Sequence, residues 1–310
     1  MILTVCLSPC IDVTVELDTL RVGKTNVVKN KSVAFAGKAL NVAVGVSRLG
    51  GEPYATGFMY NENGFGFESA LDKEGVPFTF VWNKGRVREN LKFIDRKAML
   101  TEVNDVGQPV GEDKCKELLS VVSSLSLKSD VVVISGGLPK GVPAAYYARL
   151  LECVSPQCKR VVDATGEKLL ASLGVGVDLV KPNLEELEST LGREIKSEED
   201  ALEGSMELIT LGAKRVLLSL GKQGAIITDG ERSYRSKSVN VAVNSAVGAG
   251  DAMVAAAAMK LRENAPLDEI LRAGVAAGTA RVTTFESTSF LKSKYEEIYE
   301  SLEITEIPRT

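Results

Sequence analysis

The residues best placed to do chemistry lie in the C-terminal third, where Asn244-Ser245-Ala246-Val247-Gly248-Ala249-Gly250-Asp251 runs straight into an alanine-rich stretch, 252–259. Two glycines around a small residue at the start of a helix let consecutive backbone N–H groups point at an anion. The positive end of the helix adds to that attraction. Asp251 falls in the first turn, where the same field favours its ionised form. Two readings are open: an anion-binding turn with a carboxylate beside it, or a helix N-terminus that Asp251 only caps. Three more stretches follow apolar runs, as ligand loops do at the carboxyl ends of strands in open α/β sheets. They are Ser135-Gly136-Gly137-Leu138-Pro139, Lys181-Pro182-Asn183-Leu184-Glu185-Glu186 and Ser219-Leu220-Gly221-Lys222-Gln223-Gly224. Asn183 and Glu186 have the spacing of a capping box. The glycines around Lys222 suit a turn approaching a phosphate, or equally a hairpin into 225–228.

Composition removes other chemistries. The 310 residues include no histidine, which excludes His-based triads, His general bases and His-liganded zinc or haem. A dinucleotide fingerprint needs glycine where Met253 stands, and the pairs Gly64/Gly66 and Gly174/Gly176 fail at Ser69 and Leu179. No Gly-x4-Gly-Lys-Ser/Thr occurs, so a Walker loop is absent and a nicotinamide oxidoreductase is disfavoured. Net charge is −4, from 37 basic and 41 acidic residues, without the basic excess that a nucleic-acid footprint brings. Cys6, Cys10, Cys115, Cys153 and Cys158 match no common zinc or redox spacing and read as reduced thiols packed as small hydrophobes. The opening Met1–Val15 lacks a positive leader and meets Asp12 early, so it reads as a strand. No apolar run reaches the ~18 residues of a membrane span. A soluble, cytoplasmic protein with no nucleic-acid or membrane partner is expected.

Something must hold those loops at one edge. With 45% hydrophobic and 25% charged residues the composition is globular. Continuous apolar strands are predicted at 2–5, 54–58, 131–134, 160–162, 179–180, 216–220 and 225–228. Lacking polar alternation, they suit a parallel sheet covered on both faces. Helices are predicted between them at 40–49, 67–74, 114–125, 144–152, 184–191 and 201–211. The alternation means α/β. Stretches 12–35 and 87–103 instead alternate polar and apolar residues, predicting strands with one wet face in a small second sheet. That sheet reads as a lid, an excursion from one large domain over 1–310.

With those motifs assembled, Gly37-Lys38-Ala39-Leu40-Asn41-Val42-Ala43 and Val247-Gly248-Ala249-Gly250-Asp251 together resemble the two signatures of the PfkB branch of ribokinase-like carbohydrate kinases. The resemblance runs from Cys10-Ile11-Asp12 to the alanine-rich helices near the end. Within it, Arg88-Glu89-Asn90-Leu91-Lys92, Thr101-Glu102-Val103-Asn104 and Lys181-Pro182-Asn183 are most similar to 1-phosphofructokinases, with tagatose-6-phosphate kinases as close relatives.

The resemblance implies a ribokinase-like three-layer α/β sandwich with a mostly parallel central sheet and a small β-sheet lid. It implies ATP-dependent phosphorylation of D-fructose 1-phosphate to fructose 1,6-bisphosphate with Mg²⁺. Tagatose 6-phosphate or fructose 6-phosphate are alternative acceptors, and a sugar-phosphate-binding regulator without turnover is the alternative of another class. On matching positions, Asp251 is the catalytic base, and the Gly248 turn offers the N–H groups of Ala249, Gly250 and Asp251 as an anion hole. Asn183 and Glu186 organise Mg²⁺ and phosphates through water, while Lys181, Ser219, Gly221 and Gly224 take the nucleotide. Asp12, Gly37, Lys38 and Asn41 match sugar contacts, and Arg88, Asn90 and Ser135 the region holding the substrate's phosphate. Lys92 is a further basic group, or else a solvated charge on an alternating strand. Relatives imply a homodimer through the lid. Ala36 and Ala39 replace two usual glycines, Gly137 a serine and Glu89 a threonine, departures that bear on the sugar and leave the transfer machinery intact.

Overall fold

A computed structural model of the chain describes residues 1–97, 99–284 and 290–308. The first strand, β1 (Ile2–Cys6), leads into β2 (Cys10–Glu16) and β3 (Asn30–Ala36), then α1 (Lys38–Arg48) and β4 (Pro53–Tyr60). Next come α2 (Gly66–Lys73), β5 (Phe78–Asn83), β6 (Arg88–Ile94), β7 (Leu100–Asn104) and α3 (Glu112–Ser126). Strand and helix then alternate through β8 (Val131–Ser135), α4 (Tyr146–Cys153), β9 (Lys159–Asp163), α5 (Glu167–Leu173), β10 (Leu179–Val180), α6 (Leu184–Leu191) and α7 (Glu198–Thr210). The chain closes with β11 (Val216–Ser219), β12 (Ala225–Thr228), β13 (Ser233–Ser236), α8 (Ala249–Arg262), α9 (Leu267–Val282), α10 (Lys292–Ser301) and β14 (Ile304–Glu306).

The large sheet has the order β14-β13-β12-β11-β10-β9-β8-β1-β4-β5. It is parallel from β5 to β11 and antiparallel from β11 to β14. Every apolar run expected as a strand forms one. However, 225–228 returns antiparallel to 216–219, so the glycines around Lys222 close a hairpin. Successive residues of the parallel strands face opposite layers. Ile2, Val131, Val133, Val161, Leu179 and Leu217 pack under α8 and α9, whereas Leu3, Val132, Ile134, Val162, Val180 and Leu218 pack under α3 to α7. This is the three-layer sandwich, and burial on both faces explains the absence of polar alternation. Strands β13 and β14 carry no continuous apolar run because they lie at one edge of the sheet, and at the other edge β5 has only the short run Phe80-Val81-Trp82.

The alanines of α8 have a packing purpose. A Cβ on Gly45 of α1 would lie 2.7 Å from Ala255 Cβ, so the two helices touch almost backbone to backbone. Small residues on both sides leave little slack in how the start of α8 sits against α1.

The small sheet has the order β3-β2-β6-β7 and draws on both expected excursions, although 17–29 contributes no strand. The expectation of one wet face is corrected. Strand β2 is buried almost throughout, and β7 is exposed throughout. Ile11, Val13 and Val15 join an apolar cluster with Phe67 and Leu71 of α2, while Phe35 of β3 packs on Phe67 at a ring-centroid distance of 5.0 Å. On the other face of β2, Asp12 is buried and Thr14 half-buried, and only Glu16 at the strand's end is exposed. Among the described residues no helix is long and apolar enough to cross a membrane.

Candidate active site

Parallel register brings the loops together. Cys6, Ser135 and Asp163 are aligned across β1, β8 and β9, and Lys181 leaves the end of β10 directly after Val180, which pairs with Val162. Strand β1 sits between β4 and β8, so the direction of winding reverses there and a crevice opens at the carboxyl ends.

At the floor of that crevice lies Asp163, 1% exposed. Lys38 Nζ stands 3.3 Å from its Oδ2 and Lys181 Nζ 3.4 Å from its Oδ1, while Ser135 Oγ donates to Oδ2 at 2.9 Å. Burial pushes this carboxyl up, but the Lys181 and Lys38 ammonium groups together with the Ser135 hydroxyl outweigh it and hold it below the ordinary value. Burial likewise works against the charge on Lys38. There Asp163, Glu186 and Asp251 prevail and keep the ammonium above its usual range. Ser135, expected at a substrate phosphate, is itself 1% exposed and turns its hydroxyl to Asp163 instead.

Asp251 stands above this cluster, 6% exposed, and Asn41 Nδ2 donates to its Oδ2 at 2.7 Å. Burial and the neighbouring Asp163 charge push its carboxyl up to about 6, against the pull of Asn41, Lys38 and Lys181. The two signature glycines do different things. Gly248 caps α8 in the left-handed region at φ 82°, whereas Gly250 is already helical and leaves room for Lys181 Nζ, which would lie 3.3 Å from a Cβ. Of the three N–H groups expected to bind an anion, that of Ala249 donates to Ala246 at 3.3 Å. Those of Gly250 and Asp251 find no acceptor among the described residues and face the crevice at the helix's positive end. Gly37 precedes α1 at φ 153°, and a Cβ there would meet Cys6 Sγ at 2.8 Å, so only glycine lets Lys38 and Asn41 start the helix so close to β1.

The capping box forms as read: Glu186 N–H donates to Asn183 Oδ1 at 2.7 Å and Asn183 N–H to Glu186 Oε2 at 2.9 Å. The other carboxylate oxygen of Glu186 lies 3.5 Å from Lys38 Nζ. Thus a structural cap and a functional placement coincide in one residue. Ser219 pairs with Asn183 in an isolated bridge, and Gly221 and Gly224 shape the tip of the β11–β12 hairpin beside it.

A second polar cluster lies on the small sheet. Arg88 donates from Nη1 to Asn90 Oδ1 at 3.1 Å and from Nε to Ser8 Oγ at 3.2 Å. Asn90 Nδ2 donates to Asp12 Oδ1 at 3.0 Å, and Lys92 Nζ to Asp12 Oδ2 at 2.8 Å. No hydrogen bond or ion pair among the described residues joins this cluster to Asp251; they meet through the Gly37 backbone, which continues from β3 into α1. Asp163 was not picked out from the sequence, although a polar residue closing a buried apolar strand was the available signal.

Because the folded protein raises the proton affinity of Asp251, it binds more protons than the unfolded chain between about pH 4 and 6, and ionisation above that window costs stability. Asp251→Asn removes the buried charge. It should stabilise the protein by about 1–3 kcal/mol near neutral pH, with the gap closing towards pH 4. Urea unfolding at both pH values measures this, and an equal difference at both would contradict it.

Residues 1–294 match the family model described as pfkB family carbohydrate kinase. ATP-dependent 6-phosphofructokinase isozyme 2 of Escherichia coli K12 is 37% identical over 248 residues, covering 79% of this chain and 80% of that protein. The 1-phosphofructokinase of Bacillus subtilis is 31% identical over 281 residues, 90% of this chain and 92% of the relative. Phosphofructokinase-2 from Escherichia coli in complex with fructose-6-phosphate superposes with a TM-score of 0.88 at 32% identity, over 97% of this chain and 98% of that one. With matching signatures, matching fold and a match over most of its length, the chain belongs to the pfkB family of carbohydrate kinases, phosphotransferases whose acceptor is a hydroxyl group.

Proposed function

We propose that this protein transfers the terminal phosphoryl group of ATP to a hydroxyl of a ketohexose monophosphate, with D-fructose 1-phosphate as the acceptor and fructose 1,6-bisphosphate as the product. The observation that carries the proposal is Asp251, a carboxylate of raised proton affinity beside two unused N–H groups at a helix N-terminus. In the reaction the sugar oxygen forms a bond to phosphorus as the bond to ADP breaks, and the hydroxyl proton passes to Asp251. A carboxylate cannot ionise a sugar hydroxyl beforehand. Asp251 therefore orients it, through the geometry Asn41 fixes, and accepts the proton late. The Gly250 and Asp251 N–H groups receive the transferring phosphoryl oxygens, and Lys38 and Lys181 supply positive charge already oriented by Asp163.

Ser219, Gly221 and Gly224 hold the nucleotide at the hairpin tip. Gly37, Asn41, Asp12 and Asn90 take the sugar, with Arg88 at its phosphate and Ser135 acting through Asp163. The residues fit Mg²⁺: Glu186 offers a hard carboxylate oxygen beside Lys38, and Asp163 Oδ1 makes no hydrogen bond, its nearest cation being Lys181 Nζ at 3.4 Å. No cluster of three or more metal-ligating side chains occurs among the described residues, which suits an ion held largely by water and phosphate oxygens. When bound, it neutralises charge on the nucleotide phosphates. Fructose 6-phosphate is the second reading, favoured by the 37% identity to a 6-phosphofructokinase.

ADP release with Mg-ATP on fructose 1-phosphate, fructose 6-phosphate, tagatose 6-phosphate and fructose tests the proposal. Fructose 1-phosphate should be turned over fastest, and Asp251→Asn should lose about 10³-fold in kcat. Fastest turnover on fructose 6-phosphate would favour the second reading, and no turnover on any would sink both.

We also propose a homodimer through the small sheet. Val27, Val28, Val33, Leu100 and Val103 lie on or beside it, each about half exposed or more, a surface that a second copy would cover. Light scattering at micromolar protein should give twice the chain mass; the monomer mass would contradict this.

A further inference from the structure

Lys92 lies outside the roles given so far, yet its surroundings are not those of a surface lysine. Its side chain is 14% exposed and that of its partner Asp12 is 9% exposed. On β6, Arg88, Asn90 and Lys92 alternate onto one face, opposite Cys10, Asp12 and Thr14 of β2 in register. The result is a continuous chain, Arg88 to Asn90 to Asp12 to Lys92, with a cation at each end and a single carboxylate between. Both oxygens of Asp12 are occupied: Oδ2 by Lys92, and Oδ1 by Asn90 with Cys10 Sγ at 3.6 Å. Of the other acids nearby, Glu102 on β7 pairs with Lys92 and shares its face, but it is exposed and its charge is screened by solvent, and Glu89 alternates to the other face, where Arg86 lies 3.6 Å away.

Resting on the phosphosugar reading above, we infer that Lys92 is a specificity-determining residue that fits the sugar cleft to an anionic acceptor. A carboxylate serves a sugar well, because it accepts hydroxyl hydrogen bonds. It also repels a phosphate monoester, which carries close to two negative charges at neutral pH. Inside a half-buried cleft that repulsion is poorly screened. Lys92 cancels the Asp12 charge at 2.8 Å while leaving the carboxylate in place, so the cluster keeps a net positive charge from Arg88. A neutral sugar feels little of this, and a phosphorylated one feels it fully.

The test compares wild type, Lys92→Met and Lys92→Arg on the preferred phosphosugar and on fructose. Lys92→Met should raise KM for the phosphosugar by about tenfold or more, with a much smaller change for fructose, and Lys92→Arg should recover most of the loss. Calorimetric binding of each sugar without ATP reads the same ratio independently of turnover. An inactive wild type would therefore count against the kinase reading, while the binding ratio would still decide the role of Lys92. Equal weakening for both sugars, or no change for either, would overturn the inference. A thermal melt of each variant separates misfolding from lost selectivity.

Discussion

Everything in the crevice depends on keeping one buried carboxylate ionised. Asp163 is almost entirely out of water, where a lone charge would be too costly to retain. It is held by Lys38 from the start of α1, Lys181 from the end of β10 and Ser135 from the end of β8. Removing Lys181, the buried cation of the set, would leave Asp163 poorly compensated, and breaking a buried pair in this way costs about 3–5 kcal/mol in comparable cases. The network therefore ties α1, β8, β9 and β10 to one another at the site. It also shapes Asp251. Burial and the negative field of Asp163 raise its proton affinity, and the lysines limit how far.

The same constraint explains the small residues. Asp251 must meet Asn41 at 2.7 Å, although one begins α8 and the other sits in the first turn of α1. That is possible because Gly45 and Ala255 let the two helices touch, and because Gly37 lets α1 start against β1. Bulk at any of these positions would separate a carboxylate from the amide that orients it. The alanine-rich composition of α8 is thus a requirement of the site as much as of the core.

How much was legible in the sequence follows from where each signal resides. Runs such as 131–134 are buried on both faces, so their apolar character needed no structure to interpret. The capping box at Asn183 and Glu186 is a local motif, and both of its hydrogen bonds form. Asp163 was missed because its importance lies across strands: it becomes visible only when register sets it beside Ser135 and above Lys181. Ser135 shows the same limit from the other side. Its motif pointed to a substrate, yet the neighbouring strand supplies its partner. Lys92 belongs to an alternating strand of the kind that exposes many lysines, and only the pairing of β6 with β2 sets it against Asp12. The expectation of a wet face on β2 failed over most of the strand because its apolar face packs with α2 in one cluster and Asp12 on the other face is closed off by Asn90 and Lys92 of β6.

The central claim is that burial first, and the Asp163 charge second, give Asp251 the proton affinity of a base matched to near-neutral pH. Infrared difference spectra of the carboxyl band, wild type minus Asp251→Asn and titrated in the free protein, measure that affinity directly. The account predicts a single carboxyl titrating near pH 6, at about the value set by the site. A band titrating near pH 4, like an ordinary aspartate in water, would contradict it.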